Sequence, residues 1–308
     1  MADRVLITGA TGFLGAWTID RLLAEGREVI ATDLGTDHRR LEAIRPLPEK
    51  GLLIERCDVT DAAALNELVS RTRPGGIIHL AALQIPQCRE NPALGASVNI
   101  LGHINVLEAA RAAGIGKVVY TSSIAAKPRG PANAPSNLYG VYKKTCEEIS
   151  RLYWQDHGLP SLGLRPHIVY GVGRDDGETS AITRAIEAAA LGRAYTLPFR
   201  TRSCFQYVGD VARIFARAVG SDWQGALLSD VTDNVISTDD ILAAIRKAVP
   251  DSRIDGSAEE RESPLVGFDT EPLRQVIGDW TETGVEDGVA QTVSLYRDNA
   301  ARMSRQGA

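Results

Sequence analysis

Little in these 308 residues offers itself to a metal, a disulfide or a membrane. The four cysteines, Cys57, Cys88, Cys146 and Cys204, lie far apart with no C-x-x-C. That pattern reads as reduced structural thiols, which sets aside a metal cluster or a disulfide framework. The five histidines (His38, His79, His103, His157 and His167) are equally scattered. No apolar run approaches ~18 residues, so no transmembrane helix is expected. The first strand is expected within four residues of the start, so no signal peptide is expected. A net charge of -5 gives neither nucleic acid nor an anionic membrane a reason to bind. Repeats and low-complexity tracts are missing too. What remains is ordinary for a globular protein, with 44% hydrophobic and 24% charged residues. The expectation is a cytoplasmic protein acting on a small molecule, with no metal.

The run Val5-Leu6-Ile7-Thr8-Gly9-Ala10-Thr11-Gly12-Phe13-Leu14-Gly15 is the most informative stretch present. A buried strand runs into Gly-x-x-Gly-x-x-Gly and then into an amphipathic helix. Gly9 makes the tight turn, Gly12 lets backbone approach a pyrophosphate, and Gly15 lets helix and strand pack closely. The unpaired N–H groups at the helix start face the anion. A second strand, Glu28–Thr32, ends in Asp33, at the spacing expected of the acidic residue that accepts from an adenosine ribose 2′-hydroxyl. That carboxylate would repel a 2′-phosphate, so NAD is expected over NADP. His38, Arg39 and Arg40 follow and are read as a solvated helix start, not a phosphate site.

Strand and helix patterns alternate through the first half. Strands are expected at 4–8, 28–32, 52–57, 76–80, 117–121 and 161–164, with helices at 14–24, 62–70, 93–112 and 137–154. Alternation of short apolar runs with helices means parallel strands and crossover helices, an α/β doubly wound sheet of the Rossmann type. The organisation expected is a dinucleotide-binding domain over 1–170 and a smaller, interleaved substrate lobe over 171–308, with about 205–235 returning to the first domain. In that lobe, helices are expected at 180–191, 210–219, 238–248 (capped by Ser237 or Thr238) and 285–303. The acidic stretch 250–267 reads as an exposed loop.

Tyr139 and Lys143 stand at i and i+4, on one helix face. A phenol with an ordinary pKa of about 10 becomes a usable base when an ammonium beside it favours the phenolate. Sixteen residues before Tyr139, the strand Lys117–Thr121 ends in Ser122-Ser123, and ligands bind at the carboxyl ends of such strands. Ser123 is assigned as donor to an oxygen that gains charge during reaction. Ser122 is kept as support and as a further candidate substrate contact.

Taken together, the T-G-A-T-G-F-L-G start, Cys57-Asp58-Val59, His79-Leu80-Ala81-Ala82, Asn99, Thr121-Ser122-Ser123, Tyr139-x-x-x-Lys143, Arg165-Pro166 and Tyr207-Val208-Gly209-Asp210-Val211 resemble the extended short-chain dehydrogenase/reductase superfamily, in its NAD-dependent epimerase/dehydratase family. The resemblance covers roughly residues 4–250. It implies that Gly9, Gly12, Phe13, Leu14, Gly15, Asp33, Tyr139 and Lys143 hold NAD, and that Asp58 and Val59 touch adenine. It further implies that Leu80, Ala81, Ala82 and Gln84 line the ribose and pyrophosphate path, that Asn99 supports them from behind, and that His167 lies near the nicotinamide. Family members commonly dimerise through two helices, here 93–112 and 137–154, so a homodimer is expected. His103 is read as a residue of that dimer helix, away from the chemistry.

Departures from the family pattern narrow the reaction. The Asp-Glu pair of the 4,6-dehydratases is replaced by Ile124-Ala125, which have no acid–base capacity. The Asn that nucleotide-sugar epimerases usually carry after the sixth strand is Ile168, and their Arg-Asp pair reads Ser203-Cys204 before Phe205, although Arg200 and Arg202 are close enough to substitute. The leading expectation is therefore an NAD-dependent dehydrogenase for a secondary alcohol of a sugar, sugar acid or hydroxy acid. Gln84, Ser122, Ser123, His167, Arg174, Arg202 and Phe205 are candidate substrate contacts, with Arg200 and Tyr170 nearby. A nucleotide-sugar C4 epimerase with tightly held NAD is the alternative, and a non-catalytic nucleotide sensor the second alternative.

Overall fold

A computed structural model of the chain describes residues 4–35, 37–130, 132–261 and 267–306. The chain divides into two compact units. The first comprises Met1–Pro166, Val211–Val231 and Phe268–Trp280; the second comprises His167–Asp210, Thr232–Gly267 and Thr281–Ala308.

The first unit is a seven-stranded sheet in which every pairing is parallel. Its strands are β1 (Arg4–Thr8), β2 (Glu28–Asp33), β3 (Leu52–Arg56), β4 (Gly76–His79), β5 (Val118–Thr121), β6 (Ser161–Arg165) and β11 (Ala226–Asp230), in the order β11-β6-β5-β4-β1-β2-β3. The chain runs outward from β1 through β2 and β3, then returns to place β4 on the other side of β1. Strand order reverses there, and ligands of open α/β sheets bind above such a reversal. The strands read as short apolar runs because they are buried: Val5, Leu6, Ile7, Ile78, Val118 and Val119 are all fully enclosed. Helices α3 (Ala62–Thr72) and α6 (Gly102–Ala112) pack Leu65, Leu68, Val106 and Leu107 onto Leu6, Ile30 and Ile77. Each such side chain stabilises the fold by about 1.5–3 kcal/mol.

The expected helix 93–112 is interrupted. It forms as α5 (Pro92–Ala96), a π-helical turn over Ser97–Leu101, and α6. The wide turn carries Asn99, and π-turns of this kind concentrate at functional sites. Helix α7 (Leu138–His157) starts at Asn137, whose side chain accepts from the Gly140 N–H, and stops at Gly158 with φ of 62°. Helices α1 (Phe13–Ala24), α2 (Arg39–Glu42), α4 (Ile85–Glu90), α9 (Val208–Gly220) and α11 (Glu271–Ile277) complete the set that belongs wholly or partly to this unit.

The second unit holds three two-stranded ribbons and helices α8 (Ala181–Ala190), α10 (Thr238–Ala248) and α12 (Val285–Gln306). Strand β7 (Ile168–Tyr170) pairs with β10 (Phe205–Tyr207), β8 (Tyr195–Leu197) with β13 (Ile254–Gly256), and β9 (Arg202–Ser203) with β12 (Ile236–Ser237). Ser237 caps α10 through a reciprocal box with Asp240. The stretch 250–267 is not wholly loop, because β13 interrupts it; its residues 262–266 lie outside those described.

Candidate active site

The nucleotide end is built from backbone. Gly9 has φ of 70°, and a Cβ there would stand 2.5 Å from the Ala81 nitrogen in the loop after β4. A Cβ on Gly15 would stand 2.3 Å from the Gly9 carbonyl oxygen. No side chain of these two residues fits without moving main chain. Gly12, the residue before α1, offers no side-chain cap, and the first turn of α1 carries no acidic residue. The helix N–H groups and the positive end of its dipole are thus left for an anion. Phe13 and Leu14 open that helix, and Leu80 is tied to the β1 end by its N–H to the Thr8 carbonyl, 3.1 Å.

Asp33 is pinned in place. Its Oδ2 accepts from the Thr11 N–H (2.9 Å) and hydroxyl (2.7 Å), and its Oδ1 from the Leu34 N–H (2.7 Å). Asp58 Oδ1 accepts from the N–H and hydroxyl of Thr60, both at 2.8 Å, and the Val59 carbonyl is held by Asn105. Asn99 acts one step back: its side chain accepts from the Leu83 N–H (2.9 Å) and donates to the Leu83 carbonyl (3.1 Å), clamping the loop that continues into Gln84, the N-cap of α4. Arg40 is not part of a solvated helix start. It is half-buried and donates to the Thr11 carbonyl at 3.1 Å.

Two elements bring the chemistry-bearing groups together. Ser123 heads a tight 3₁₀ turn, Ile124–Ala126, and its Oγ accepts from the Ala125 N–H at 3.1 Å. That contact uses a lone pair and leaves the hydroxyl proton without an acceptor among the described residues. Tyr139 lies in the first turn of α7, followed by Gly140, where a Cβ would stand 2.2 Å from the Ala125 carbonyl oxygen. The Ser123 turn and the start of α7 therefore meet backbone to backbone, a contact that Gly140 alone permits. One turn on, the fully enclosed Lys143 Nζ donates to the Thr121 carbonyl (2.7 Å) and sits 5.7 Å from the Tyr139 ring centroid. Burial pushes the Lys143 ammonium below its ordinary range, while Cys146, Cys88 and Glu147 pull it back.

Beneath these groups the interior is polar. Ser122 turns its hydroxyl inward, donating to Glu147 Oε1 at 2.6 Å, so it is a support and not a substrate contact. Glu147 also receives both prongs of Arg165 at 2.6 and 2.7 Å, joining the ends of β5 and β6 to α7. Asp230, at the end of β11, accepts from Lys127 (2.5 Å) and from the Asp269 N–H (2.7 Å). His103 belongs to this interior despite its helix: its ring lies 5.4 Å from that of His79 and 4.7 Å from that of Tyr120, with Nε2 2.9 Å from Ser150 Oγ. His79 Nδ1 is 2.7 Å from Thr8 Oγ1. Burial and then the nearby Lys143 charge hold His103 down to about 3; burial, His103 and Lys143 hold His79 well below the usual range. Both rings are neutral at pH 7.

Against known proteins, the model of the NAD dependent epimerase/dehydratase family matches residues 5–227. The chain belongs to that family. It is 30% identical to a UDP-glucose 4-epimerase of Mycolicibacterium smegmatis, over 96% of this chain and 99% of that one. Among solved structures, a Thermus thermophilus UDP-glucose 4-epimerase in complex with NAD is 28% identical, with a TM-score of 0.78 and coverage of 96% of this chain and 99% of that one. An L-threonine dehydrogenase from Clostridium difficile shares the fold, with a TM-score of 0.79 at 22% identity and coverage of 96% and 98%. The cofactor is NAD, and the residues present fit it. The uncapped α1 and the Gly9–Gly15 cradle would take its pyrophosphate, and the pinned Asp33 its adenosine ribose.

The remaining candidates of this family member belong to the second unit. His167 donates its N–H to Gln206 Oε1 at 2.8 Å, and Phe205 is buried on β10. Arg174 donates to the Thr179 hydroxyl (3.1 Å), and Arg200 pairs with Asp239. On β9, Ser203 is buried while its neighbour Arg202 is exposed. Sequence reading passed over Gly140 and Glu147, and set His103 away from the chemistry. Gly140 alone left a local trace, as a glycine inside a helical pattern.

Proposed function

We propose that the chain oxidises a secondary alcohol carbon of a small sugar-class substrate, and reduces the ketone in reverse, through Ser123, Tyr139 and Lys143. The backbone contact between Gly140 and the Ala125 carbonyl carries this reading, because it sets a serine with an unspent proton against the start of the tyrosine's helix. Tyr139 takes the substrate hydroxyl proton as general base, a role worth typically 10²–10⁴-fold. Lys143, with one N–H on Thr121 and two left, favours the phenolate and reaches a ribose hydroxyl. Ser123 donates to the oxygen that becomes the carbonyl. When bound, NAD supplies the hydride acceptor.

A nucleotide-sugar C4 epimerase is the second reading, favoured by the 30% identical relative that matches end to end. It shares the same oxidation, followed by reduction of the ketone from its other face. Against it stands β9. Successive side chains on a strand face opposite ways, and the exposed Arg202 leaves β9 on the face away from the buried Ser203, where the family pattern has its arginine, which weighs against the epimerase reading. The deciding experiment measures NAD retained per subunit after purification, NADH formation with sugars, sugar acids and hydroxy acids, and interconversion of UDP-glucose and UDP-galactose. Reversible NAD binding with NADH release supports the dehydrogenase. Stoichiometric retained NAD with UDP-sugar interconversion overturns it in favour of the epimerase. Tyr139→Phe abolishes turnover in either case, whereas a nucleotide sensor keeps its biological activity in that variant.

The chain also forms a homodimer in this reading. Leu94, Leu101, Leu138, Val141 and Leu152 are large apolar side chains exposed on the two helical segments named for that role. A sedimentation mass of one chain would sink that part of the proposal.

A further inference from the structure

Arg129 is a charge that the fold of the first unit leaves without a counter-ion. It is half-buried, its Nε is closed off from water with no acceptor, and no carboxylate among the described residues pairs with it. Its Nη2 donates to the Ile124 carbonyl at 2.9 Å, and the rest of its N–H donors have no acceptor among the described residues. Arg45 and Arg165, also half-buried in this unit, each hold a carboxylate, Asp20 and Glu147. Burial alone lowers the Arg129 guanidinium from its ordinary range. An enclosed charge without a partner is costly, and proteins break that rule chiefly where a ligand completes the site.

The place of Arg129 joins it to the chemistry. Ile124 follows Ser123, and its carbonyl also receives the Lys127 N–H at 3.1 Å, so the guanidinium rests on the turn that carries the candidate donor. The Arg129 N–H donates to the Ala134 carbonyl at 2.9 Å and the Asn133 N–H to the Gly130 carbonyl at 3.0 Å, closing a hairpin between that turn and α7. Pro135 comes next and lies against the start of α7, where a Cβ on Gly140 would stand 3.2 Å from its own. Arg129 is therefore at the neck of the segment that links Ser123 to Tyr139. The neighbouring cation, Lys127, is paired with Asp230. One unmatched positive charge suits a monoanion better than a phosphate, which carries nearly two negative charges.

We propose that the substrate carries a carboxylate and that Arg129 receives it beside the Ser123 turn. The planar guanidinium offers a carboxylate two parallel charge-assisted N–H donors, and its charge is then matched. The inference rests on the reading of Ser123 and Tyr139 as the reacting pair. It narrows the substrate from a sugar-class alcohol to a sugar acid or hydroxy acid.

The test compares acids with the alcohols in which a hydroxymethyl group replaces the carboxylate: gluconate with glucitol, threonate with threitol, and 3-hydroxybutyrate with 1,3-butanediol. Binding to the NADH-loaded protein is measured by calorimetry, and kcat/KM by NADH formation from NAD. The native protein binds at least one acid and prefers it to its alcohol. Arg129→Gln keeps an N–H donor for the Ile124 carbonyl but no charge, and lowers the acid-to-alcohol ratio about tenfold or more. Arg129→Lys keeps the charge without the fork and lowers the ratio less. Fluorescence titration with NAD reports that each variant is folded. An unchanged ratio in Arg129→Gln overturns the inference, as do equal losses for acid and alcohol, the mark of a merely structural arginine. So does a native protein that binds none of the acids. Acids that bind through Arg129 with no NADH formed would instead overturn the proposed oxidation and leave the carboxylate site standing.

Discussion

The two ends of the candidate active site are made in opposite ways. At the nucleotide end, function comes from what side chains leave out: Gly9 and Gly15 have no Cβ where one would meet main chain, and α1 has no cap. At the catalytic end, the side chains are charged, enclosed and paired with one another. Lys143, the Glu147–Arg165 fork and the Lys127–Asp230 pair lie under the ends of β5, β6 and β11. An anion is best held by fixed backbone dipoles that need no folding partner beyond their own turn. A base and its donor need side chains whose positions are enforced from behind.

Gly140 is the exception at the catalytic end, because it works by absence as Gly9 does, and changing it tests the contrast hardest. Gly140→Ala forces the Ser123 turn and α7 apart. Turnover is expected to fall about a hundredfold, the cost of a misplacement near 1 Å. NAD affinity, measured by fluorescence titration, is expected to stay within a few-fold of native, and an equal loss in both quantities would erase the distinction between the ends.

The interior support should break through stability. Glu147→Gln leaves Arg165 enclosed without its counter-charge and is expected to cost about 3–5 kcal/mol in denaturant unfolding. The paired change Glu147→Met/Arg165→Met should recover much of that loss. If both variants lose equally, it is packing rather than charge that Glu147 provides.

The smallest effect concerns the neutral histidines. His103 and His79 bind a proton readily when unfolded, near pH 6.5, but His103 does so only near 3 when folded, and His79 is also strongly depressed. The unfolded chain therefore holds more protons below pH 6.5, and stability falls as the pH drops from there toward 3, by up to about 1.4 kcal/mol per pH unit for each ring. His103→Phe should flatten that slope by roughly one proton between pH 6 and 4. An unchanged slope would show that other groups set the acid limit.

How much of this was legible varies by residue for physical reasons. Gly9, Gly12, Gly15 and Asp33 act through turn geometry at fixed spacing, so the chain alone exposes them, and Tyr139 and Lys143 share a face because a helix repeats every 3.6 residues. For Ser122 and Ser123 the sequence offered a donor and a support, with both kept as candidate substrate contacts. Only the strand end decides that one hydroxyl turns inward to Glu147 while the other keeps its proton for a ligand. Arg40 looked like a solvated charge because its partner, the Thr11 carbonyl, is backbone 29 residues away. His103 was read as a residue of the dimer helix, away from the chemistry; it does lie on α6, but its ring packs inward against His79 and Tyr120, partners 24 and 17 residues away.

The sequence by itself determined the alternation of elements, the glycine turn, the acidic residue at the end of β2 and the tyrosine–lysine face, all consequences of local period and local sterics. Tertiary structure decided what stands behind each reacting group: which serine is spent, which charges are enclosed, and where a missing Cβ lets two segments touch. Those depend on side chains that meet across tens of residues, and contact at that range is set by the packing of the sheet, which no local pattern records.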